Sequence, residues 1–441
     1  MIVSITITQL FRYAFSKTSR RSAAVAPANP ETFIMLMPCY NETVEECTRS
    51  LESLTTQDGI SHHPRAILVI CDGKVRGPGM EKTTAEYLQQ DILTQTAEPM
   101  RLIRNAYGAW DGGSMDVEVT RGWFRGVPFY CIVKCENQGK RDSLIVARSF
   151  SHKFNQRRQN PHTIFGREFL TDITEWLEHV AGIDHVDHLI GMDADTVFDK
   201  GCILELLTQM RLADAQDAAS LKRSISRKQR KARRDPEKSG TIVTDDINDP
   251  EQPRTVGVCG FVAVDFSAGR FSPWHLYQNT EYTIAQGLRR LHQSIITCKV
   301  SCLPGCCQLL RVCETTCGDR VLVELFGYHP KALDGMLKRI RATASEDRNH
   351  VCLMLTEFPA ARTRQALFAR AYTDVPRSWS VFLSQRRRWT LGATSNDLLL
   401  LTASGTQWWE RILALSNVVV WTLNVFVIAS IASMIVACLS E

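Results

Sequence analysis

The chain has 441 residues, of which 44% are hydrophobic and 22% are charged, and it carries a net charge of +5. This length and composition indicate a folded protein of two domains, or of one large α/β domain with appendages, and exclude a wholly disordered chain. Since the positive charge is mild and its densest part is one local run, bulk nucleic-acid binding is not indicated and no nucleic-acid partner is expected.

The first 30 residues form a segment whose structure the sequence leaves open. The stretch Ile2–Phe15 is either an amphipathic helix on a membrane surface or a frayed terminus. It lacks the basic start and long apolar core of a cleavable signal peptide. A reduced, cytosolic globular part is therefore expected, with free thiols at the 15 cysteines. A zinc site among the cysteines between Cys298 and Cys317 is the alternative.

A strand–helix–strand unit opens the globular part. Thr32–Met37 is predicted to be a strand, a helix follows to about Leu54, and Ala66–Ile70 is the second strand. Such a unit implies a parallel sheet with its ligand at the carboxyl ends of the strands. Asp72, just after the second strand, is placed to meet a nucleoside, although an Asp-Gly pair alone is more often a turn.

The next segments lead to a group of cations. Lys74–Arg121 is interpreted as a looser region, and Phe129–Val133 as another strand. Gly139, Lys140 and Arg141 then open a helix. A glycine before adjacent cations at a helix start predicts a phosphate site, and the alternative is a solvated helix cap.

Two carboxylates follow the apolar run His188–Met192, which predicts a buried strand. Asp193 and Asp195 lie two residues apart, a spacing that suits a hard divalent cation which also touches a diphosphate. Alone, an Asp-x-Asp pair is most often two solvated loop acids. The metal hypothesis therefore depends on the residues that accompany the pair.

An insertion is predicted in the middle of the chain. A helix runs to about Leu212, and residues 214–254 follow with a basic run at Lys222–Arg234 and then an acidic stretch. This composition is typical of a disordered surface loop. Contact of the basic run with a membrane surface or with nucleic acid is the alternative.

Four further segments complete the globular part: a strand at Thr255–Gly260, a helix at Trp274–Leu291, a tight turn at Ser301–Cys306 and a helix over Ser345–Leu355. Glu346 and Asp347 lie at the start of the last helix, where an acid is sometimes only a cap. The segment Gln385–Trp389 combines an amide, three guanidinium groups and an indole. Arginine clusters bind phosphate and tryptophan stacks on sugar faces, whereas a lipid-binding basic run explains neither Gln385 nor Trp389.

The C-terminal residues 401–441 are predicted to be an interfacial segment and a single transmembrane helix at about 412–439. Ile412–Leu439 contains no charged residue, and Trp408 and Trp409 precede it as in an interfacial belt. A buried core helix is the alternative. Because arginines precede the span, the positive-inside rule places the globular part in the cytosol.

In this order, the motifs resemble those of processive family 2 glycosyltransferases, and within that group fungal-type chitin synthases. The resemblance covers about Phe33–Asn396, with the basic insertion as the main gap. It rests on Pro38–Tyr40, Cys71–Gly73, Gly139–Ser143, Asp193–Thr196, Gln278 with Glu281 and Tyr282, Cys302–Gly305, Glu346–Arg348 and Gln385–Trp389. The Gly139–Ser143 and Cys302–Gly305 segments favour chitin synthases over hyaluronan or cellulose synthases.

The resemblance implies an α/β fold with a GT-A-like mixed, mostly parallel sheet flanked by helices over residues 31–400. It further implies a plasma-membrane enzyme, with its catalytic domain in the cytosol, that uses Mg²⁺ or Mn²⁺. The reaction would transfer GlcNAc from UDP-GlcNAc to the 4-hydroxyl of a growing β-1,4-linked chitin polymer with inversion. A related β-glycan synthase and a truncated non-catalytic paralogue stay open as alternatives.

Individual roles follow from the same resemblance. The residues expected to line the uridine pocket are Pro38, Tyr40, Glu42 and Asp72. Lys140 would neutralise the diphosphate, and Asp193 and Asp195 would hold the nucleotide and the metal ion. Asp347 would be the general base, with the neighbouring Glu346 among the substrate-binding residues. The residues expected to close over the diphosphate and hold the acceptor end are Gln385, Arg388 and Trp389.

One expectation departs from the family. Its members normally have several transmembrane helices after the Gln-Arg-Arg-Arg-Trp motif, which form the polymer channel, whereas a single one is predicted here. One helix cannot enclose a polar glycan within lipid. The explanations left open are a fragment, an assembly with other chains such as a homo-oligomer, and a chain inactive in secretion. Membrane lipid is an expected partner.

Overall fold

The computed structural model describes residues 30–94, 97–232, 253–266, 272–376 and 378–440. Its strands are Phe33–Cys39 (β1), Arg65–Cys71 (β2), Arg101–Gly108 (β3), Ser114–Phe124 (β4), Val127–Lys134 (β5), His188–Gly191 (β6), Thr196–Phe198 (β7), Arg254–Val264 (β8), Gln308–Arg311 (β9) and Ala361–Thr373 (β10).

The α-helices are Val44–Thr55 (α1), Thr84–Glu86 (α2), Gly139–Asn155 (α3), Arg167–Glu175 (α4), Cys202–Ala232 (α5), Pro273–Thr283 (α6), Glu314–Cys317 (α7), Met336–Thr343 (α8), Glu346–Glu357 (α9), Trp379–Thr402 (α10) and Trp408–Ser440 (α11). Wider, π-helical turns lie at Tyr87–Ile92, Trp176–Val180, Ile284–Arg290, Gln293–Thr297 and Arg320–Phe326, and a 3₁₀ turn at Arg157–Gln159.

All described strands join one sheet in the order β3-β4-β5-β2-β1-β6-β9-β8-β10-β7. The pairs β1–β2, β1–β6, β2–β5 and β8–β10 are parallel, and the other five pairs are antiparallel. The predicted mixed sheet flanked by helices is confirmed. The prediction that it is mostly parallel is wrong for the described strands, because β3, β4 and β5 form an antiparallel meander and β9 inserts antiparallel between β6 and β8.

Helices cover both faces of the sheet because the central strands are apolar on both sides. In β1, the alternating side chains of Phe33 and Met35 enter one core, which α1 and α5 close. Ile34 and Leu36 enter the other core, which α3 and α4 close. The sheet is therefore a buried platform, and its polar edge at the carboxyl ends of β1 and β6 remains available for a site.

Local capping explains where several helices begin. Thr43 caps α1 and forms a reciprocal capping box with Glu46. Ser272 caps α6 ahead of a proline in its first turn. Ser378 caps α10, which carries the predicted Gln385–Trp389 segment.

Most predicted elements are confirmed within a few residues, including β1, β2, β5, β6, β8 and the helices α1, α3 and α9. The interpretation of Lys74–Arg121 as a looser region is wrong, since β3 and most of β4 lie there. Their polar outer positions and the positive-φ Asn105 hide the strand pattern. The predicted helix end near Leu212 is also wrong, because α5 continues to Ala232.

The start of the predicted insertion is anchored to the sheet. Asp217 on α5 accepts a hydrogen bond of 2.7 Å from Oγ1 of Thr255 on β8, and an ion pair joins it to Arg362 on β10. Alanine-rich sequence around Asp217 favours the helix. The predicted N-terminal segment up to residue 29 and residues 233–252 of the insertion lie outside the described residues.

The two C-terminal helices pack against each other. Glu410, at the start of α11, is buried and pairs with Lys299 at 3.1 Å. Farther along α11, apolar side chains are exposed to solvent, including Phe426, Ile431 and Val436. Among the described residues, no helix has the length and apolar character of a membrane span. The transmembrane helix predicted at 412–439 is thus not confirmed.

Candidate active site

The carboxyl ends of β1 and β6 meet at one edge of the sheet. Leu36 of β1 is the parallel register partner of Gly191 of β6, so the segments that follow the two strands lie side by side. The chain passes from β1 to β2 on one side and reaches β6 on the other. This edge is therefore a topological switch point, the place where open α/β sheets bind ligands.

Asp193 and Asp195 follow β6 at this edge. Asp193 is half-buried, and Asp195 is accessible to solvent although many protein atoms surround it. This crowding, together with the negative charges of Asp193 and Glu42, raises the pKa of Asp195 to about 7. The acidic pair therefore carries mutual repulsion that a bound cation would relieve.

Lys140, in the first turn of α3, is the cation that the chain itself brings to the acidic pair. Its Nζ lies 2.7 Å from Oδ1 of Asp193 and 3.7 Å from Oδ2 of Asp347. Burial opposes its charge, but the carboxylates of Asp193, Asp347 and Glu346 outweigh burial and raise the pKa of Lys140 well above its ordinary value. Lys140 is therefore charged at neutral pH and joins the two sides of the site.

Asp347 lies at the start of α9 and is held by the turn before β9. The backbone N–H of Gly305 donates a hydrogen bond of 2.9 Å to its Oδ2. A Cβ at position 305 would lie 2.6 Å from the same oxygen, so only glycine permits this approach. Oδ1 of Asp347 is buried and has no hydrogen-bond partner among the described residues. The accepting capacity of that oxygen is therefore unused among the described contacts.

Arg141 fixes α3 relative to α9. Its guanidinium donates to the carbonyl oxygens of Phe326 and Arg341 and approaches Oδ1 of Asn349 at 3.3 Å. It also lies 4.2 Å from the centre of the Phe326 ring. Because Lys140 precedes Arg141 and Asn349 lies in the same helix as Asp347, these contacts set the separation of Lys140 and Asp347.

Asp72 is buried beneath the start of α3. Its carboxylate accepts hydrogen bonds from the backbone N–H groups of Gln138 at 2.9 Å and Gly139 at 2.7 Å. Nζ of the fully buried Lys134 lies 2.9 Å from Asp72 and 2.9 Å from Asp142. Asp72 thus holds the helix that carries Lys140, and its carboxylate has further accepting capacity beyond these contacts.

The segment after β1 provides the other expected nucleotide contacts. Pro38 lies in β1 opposite Ile70, and Tyr40 is 41% exposed. The backbone N–H of Tyr40 donates to Oε2 of Glu42 at 2.6 Å. Burial raises the pKa of Glu42, and the neighbouring Asp193 adds to the rise. An exposed ring beside a polar edge is suited to stacking on a base.

Helix α10 carries the Gln385–Trp389 segment and packs it beside α6. Arg386 lies 4.4 Å from the Trp389 ring centre and pairs with Glu281 of α6 at 2.6 Å. Trp389 is 39% exposed, and its ring centre lies 5.8 Å from that of Tyr282. Tyr282 links Trp389 to the acidic pair, because burial and also the charge of the nearby Asp195 raise the pKa of Tyr282.

Ion pairs and charge interactions link five of the predicted site residues at this edge of the sheet. They are Glu42, Lys140, Asp193, Asp195 and Asp347, and the space they border is called the donor cleft. Gln385 and Arg388 make no hydrogen bond or ion pair to the acidic pair in the portion of the chain described; the Gln385 side chain accepts from Arg386, and the Arg388 carbonyl accepts from Ser345.

Sequence reasoning missed three contributors: Lys134, Asp142 and the electrostatic neighbour Cys306. A charge at the end of the otherwise apolar β5 was a signal for Lys134. Asp142 lies within the Gly139–Ser143 motif, but the resemblance gave it no role. In the structure it accepts a hydrogen bond of 2.6 Å from the Tyr107 hydroxyl. Burial is the largest cause that raises the pKa of the Cys306 thiol, and the negative charge of the nearby Asp193 raises it further. No sequence pattern separates that thiol from the other cysteines.

The donor set fits a divalent cation. Asp193 and Asp195 provide hard carboxylate oxygens at a cleft open to water, which Mg²⁺ and Mn²⁺ prefer over nitrogen or sulfur. Burial is the main cause that raises the pKa of Asp195, the charges of Asp193 and Glu42 add to it, and Lys140 acts in the opposite direction. These residues therefore fit the metal that the resemblance implies.

Comparisons with known proteins give consistent results. A family model described as chitin synthase matches residues 10–121 and 236–437. Chitin synthase 8 of Gibberella zeae is 44% identical over 409 residues, which cover 93% of this chain and 55% of that protein. Chitin synthase 8 of Verticillium dahliae is 39% identical over 438 residues, covering 94% of this chain and 64% of that protein. The chain thus spans less than two thirds of either relative.

Among solved structures, a mannosyltransferase from Pyrobaculum calidifontis in complex with GDP-Man and Mn²⁺ superposes with a TM-score of 0.43 and 9% identity. The match covers 95% of this chain and 77% of that one. The TarS protein of S. aureus in complex with UDP-GlcNAc gives a TM-score of 0.39 and 11% identity, covering 89% and 73%.

Proposed function

This chain belongs to the chitin synthase family, and on that premise we propose that its residues 31–400 form a GT-A-type catalytic domain. The proposed reaction transfers GlcNAc from UDP-GlcNAc to the 4-hydroxyl at the non-reducing end of a β-1,4-linked GlcNAc polymer. It proceeds with inversion, in a single displacement with no covalent intermediate.

One observation carries the proposal: Lys140 lies between Asp193 and Asp347. A sugar–diphosphate bond that breaks leaves negative charge on the departing nucleotide, and the attacking hydroxyl loses a proton in the same step. The first event needs a cation and the second needs a carboxylate. Here a single ammonium group touches both an acid of the donor pair and the carboxylate assigned as base.

The donor side would be formed by the segments after β1, β2 and β6. Tyr40 would stack on the uracil, with Pro38 and Glu42 beside it and Asp72 below. Lys140 would exchange its contact with Asp193 for the diphosphate. Asp193 and Asp195 would hold Mg²⁺ or Mn²⁺, which when bound supplies a positive charge to the leaving diphosphate.

The acceptor side would be formed by α9 and α10. The Asp347 carboxylate would take the hydroxyl proton, while the Gly305 N–H keeps it oriented through Oδ2. The half-exposed Trp389 would hold the terminal sugar by stacking on its apolar face. Gln385 and Arg388 would close over the diphosphate once it is bound, and Glu346 would complete the substrate contacts.

Membrane association at the plasma membrane, with the catalytic domain in the cytosol, is part of the proposal. It is supported by the exposed apolar side chains along α11, among them Phe426, Met434 and Val436. A surface of that kind is unfavourable in water and favourable in lipid. Flotation of the full chain with liposomes, against a chain that ends at residue 406, tests this association.

The activity test uses the full chain in purified membranes with radiolabelled UDP-GlcNAc. We expect an insoluble product that chitinase digests, and activity that is lost on chelation and restored by Mg²⁺ or Mn²⁺. A labelled polymer that resists chitinase would point to a related β-glycan synthase. Absence of any polymer, with donor binding retained, would favour a non-catalytic partner of another synthase.

A further inference from the structure

A second and chemically different group of ligand atoms shares Glu42 with the donor cleft. One atom each of Cys39, Glu42 and Cys47 lies within 4.8 Å of both others. Cys39 ends β1, Cys47 lies in the first turn of α1, and both thiols are buried. Glu42, between them in sequence, is half-buried and provides the connection to the cleft.

We propose that Cys39, Cys47 and Glu42 form a binding site for a thiophilic divalent cation such as Zn²⁺ or Cd²⁺, distinct from the Asp193–Asp195 pair. Two sulfur ligands and one carboxylate are a donor set for borderline or soft metals, whereas Mg²⁺ and Mn²⁺ prefer oxygen alone. A fourth position would be filled by water from the cleft.

The local structure is built for such a site. The segment from Cys39 to Cys47 is held at both ends, by β1 and by the Thr43–Glu46 capping box of α1. Its middle is held by the Thr84 hydroxyl, which donates to the Glu42 carbonyl at 2.9 Å. A metal would therefore bind with little reorganisation of the backbone.

Charge balance defines the binding step. The ion displaces the protons of the Cys39 and Cys47 thiols, which leave to solvent, and the Glu42 carboxylate binds without proton loss once ionised. Two thiolates, one carboxylate and one divalent ion leave a net charge of −1. Two protons are thus released for each ion bound at neutral pH, and no oxidant or reductant takes part.

The site is coupled to the donor cleft through Glu42. Oε2 of Glu42 accepts from the Tyr40 N–H, and its charge acts on Asp195. A metal that holds Glu42 toward the sulfur atoms would withdraw it from the nucleotide pocket. Occupancy is then expected to weaken UDP binding, a consequence that rests on the proposed function, whereas metal binding itself does not.

The first experiment titrates the full, reduced chain in detergent with Cd²⁺. It follows the ultraviolet charge-transfer absorption from thiolate to cadmium. Cys47→Ala is expected to lose one Cd²⁺ equivalent relative to the wild type. Cys131→Ala is the matched control, since Cys131 is buried in the same core but is not among the three ligand residues, and it should retain that equivalent. Equal stoichiometry and affinity in Cys47→Ala and the wild type would overturn the site.

A second variant, Glu42→Gln, tests the site without removing a buried thiol from the core. It is expected to weaken Cd²⁺ binding by about 10- to 100-fold, because loss of even an outer-shell partner of a metal has an effect of that size. Unchanged affinity would remove Glu42 from the site and overturn the proposal as stated. Competition by Zn²⁺ should displace Cd²⁺ from the wild type at this same equivalent.

The third arm measures UDP binding with and without Zn²⁺, in wild type and in Cys47→Ala. We expect Zn²⁺ to weaken UDP binding only in the wild type. No UDP binding in the absence of Zn²⁺ would contradict the proposed function and leave the metal result standing. No lost Cd²⁺ equivalent in Cys47→Ala would contradict the metal site and leave the proposed function intact.

Discussion

Nζ of Lys140 lies 3.7 Å from Oδ2 of Asp347, although 207 positions separate the two residues in the chain. The contact joins the start of α3 to the start of α9. Because the same nitrogen is 2.7 Å from Asp193, one cation balances an acid from each side of the cleft. A diphosphate that enters would compete with both carboxylates for Lys140.

The substitution Lys140→Met removes this cation. We expect transfer to fall on the order of 100-fold, because one preorganised positive group at the leaving diphosphate is lost. Mn²⁺ binding should persist or tighten, since a cation that repels the metal is gone. Lys82→Met, at an exposed lysine paired with Asp91, is the control. Isothermal titration with Mn²⁺ and UDP checks both expectations, and loss of Mn²⁺ binding would argue against this assignment.

Lys134→Met tests the support beneath α3. The substitution leaves Asp72 and Asp142 buried without their shared cation, which should reduce the free energy of unfolding by about 3–5 kcal/mol. Lys74→Met breaks the half-exposed pair with Glu118 and should change stability little. Denaturant unfolding followed by tryptophan fluorescence measures both. Similar stability of the two variants would show that the buried lysine does not hold the site together.

Trp389→Ala tests the acceptor assignment. The indole is half-exposed at the rim and packs beside Tyr282 and Arg386. If it holds the terminal sugar, its loss should reduce polymer formation by about tenfold or more, in line with 1–3 kcal/mol for one stacked ring. Hydrolysis of UDP-GlcNAc by water should fall less. Trp123→Ala, at an exposed indole on β4, serves as the comparison. Equal losses of both activities would contradict an acceptor role.

Metal affinity should depend on pH. Burial, together with the charges of Asp193 and Glu42, raises the pKa of Asp195 to about 7, so protons compete with Mn²⁺ below that pH. The unprotonated carboxylate binds the ion, and affinity should therefore rise with pH up to about 7 and then level off. Below it, one competing proton gives up to tenfold weaker binding per pH unit. Electron paramagnetic resonance of free Mn²⁺ measures this. A flat profile would exclude Asp195 as a ligand.

Much of the platform could be predicted because its strands are short apolar runs that end at polar residues. That pattern located β1, β2 and β6, and with them Tyr40, Asp72 and Asp193. The outer strands β3 and β4 were missed because they alternate exposed and buried positions and contain charged residues. The strand β10 was missed because its arginines resemble a surface segment, although Arg364 is buried against Asp217.

The relative placement of the site residues could not be derived from local patterns. Asp347 looks like a helix-capping acid in sequence, and only the approach of Gly305 and Lys140 distinguishes it. Asp72 stays predicted to meet a nucleoside, and the sequence did not indicate that its carboxylate also accepts hydrogen bonds at the N-terminus of α3. Long-range packing decides both outcomes, and sequence spacing carries no information about it.

The role of the Asp347 carboxylate as base is tested by comparing Asp347→Asn with the wild type in two parallel measurements. One follows radiolabelled GlcNAc incorporated into chitinase-sensitive polymer, and the other follows UDP binding in the presence of Mn²⁺. Asp58→Asn, at an exposed acid before β2, controls for the loss of one charge.

We expect Asp347→Asn to lose incorporation by about 10²- to 10⁴-fold, as when a general base is removed, and to retain UDP affinity. Asp58→Asn should behave as the wild type. Incorporation at the wild-type rate in Asp347→Asn would contradict the claim that this carboxylate takes the proton of the acceptor hydroxyl.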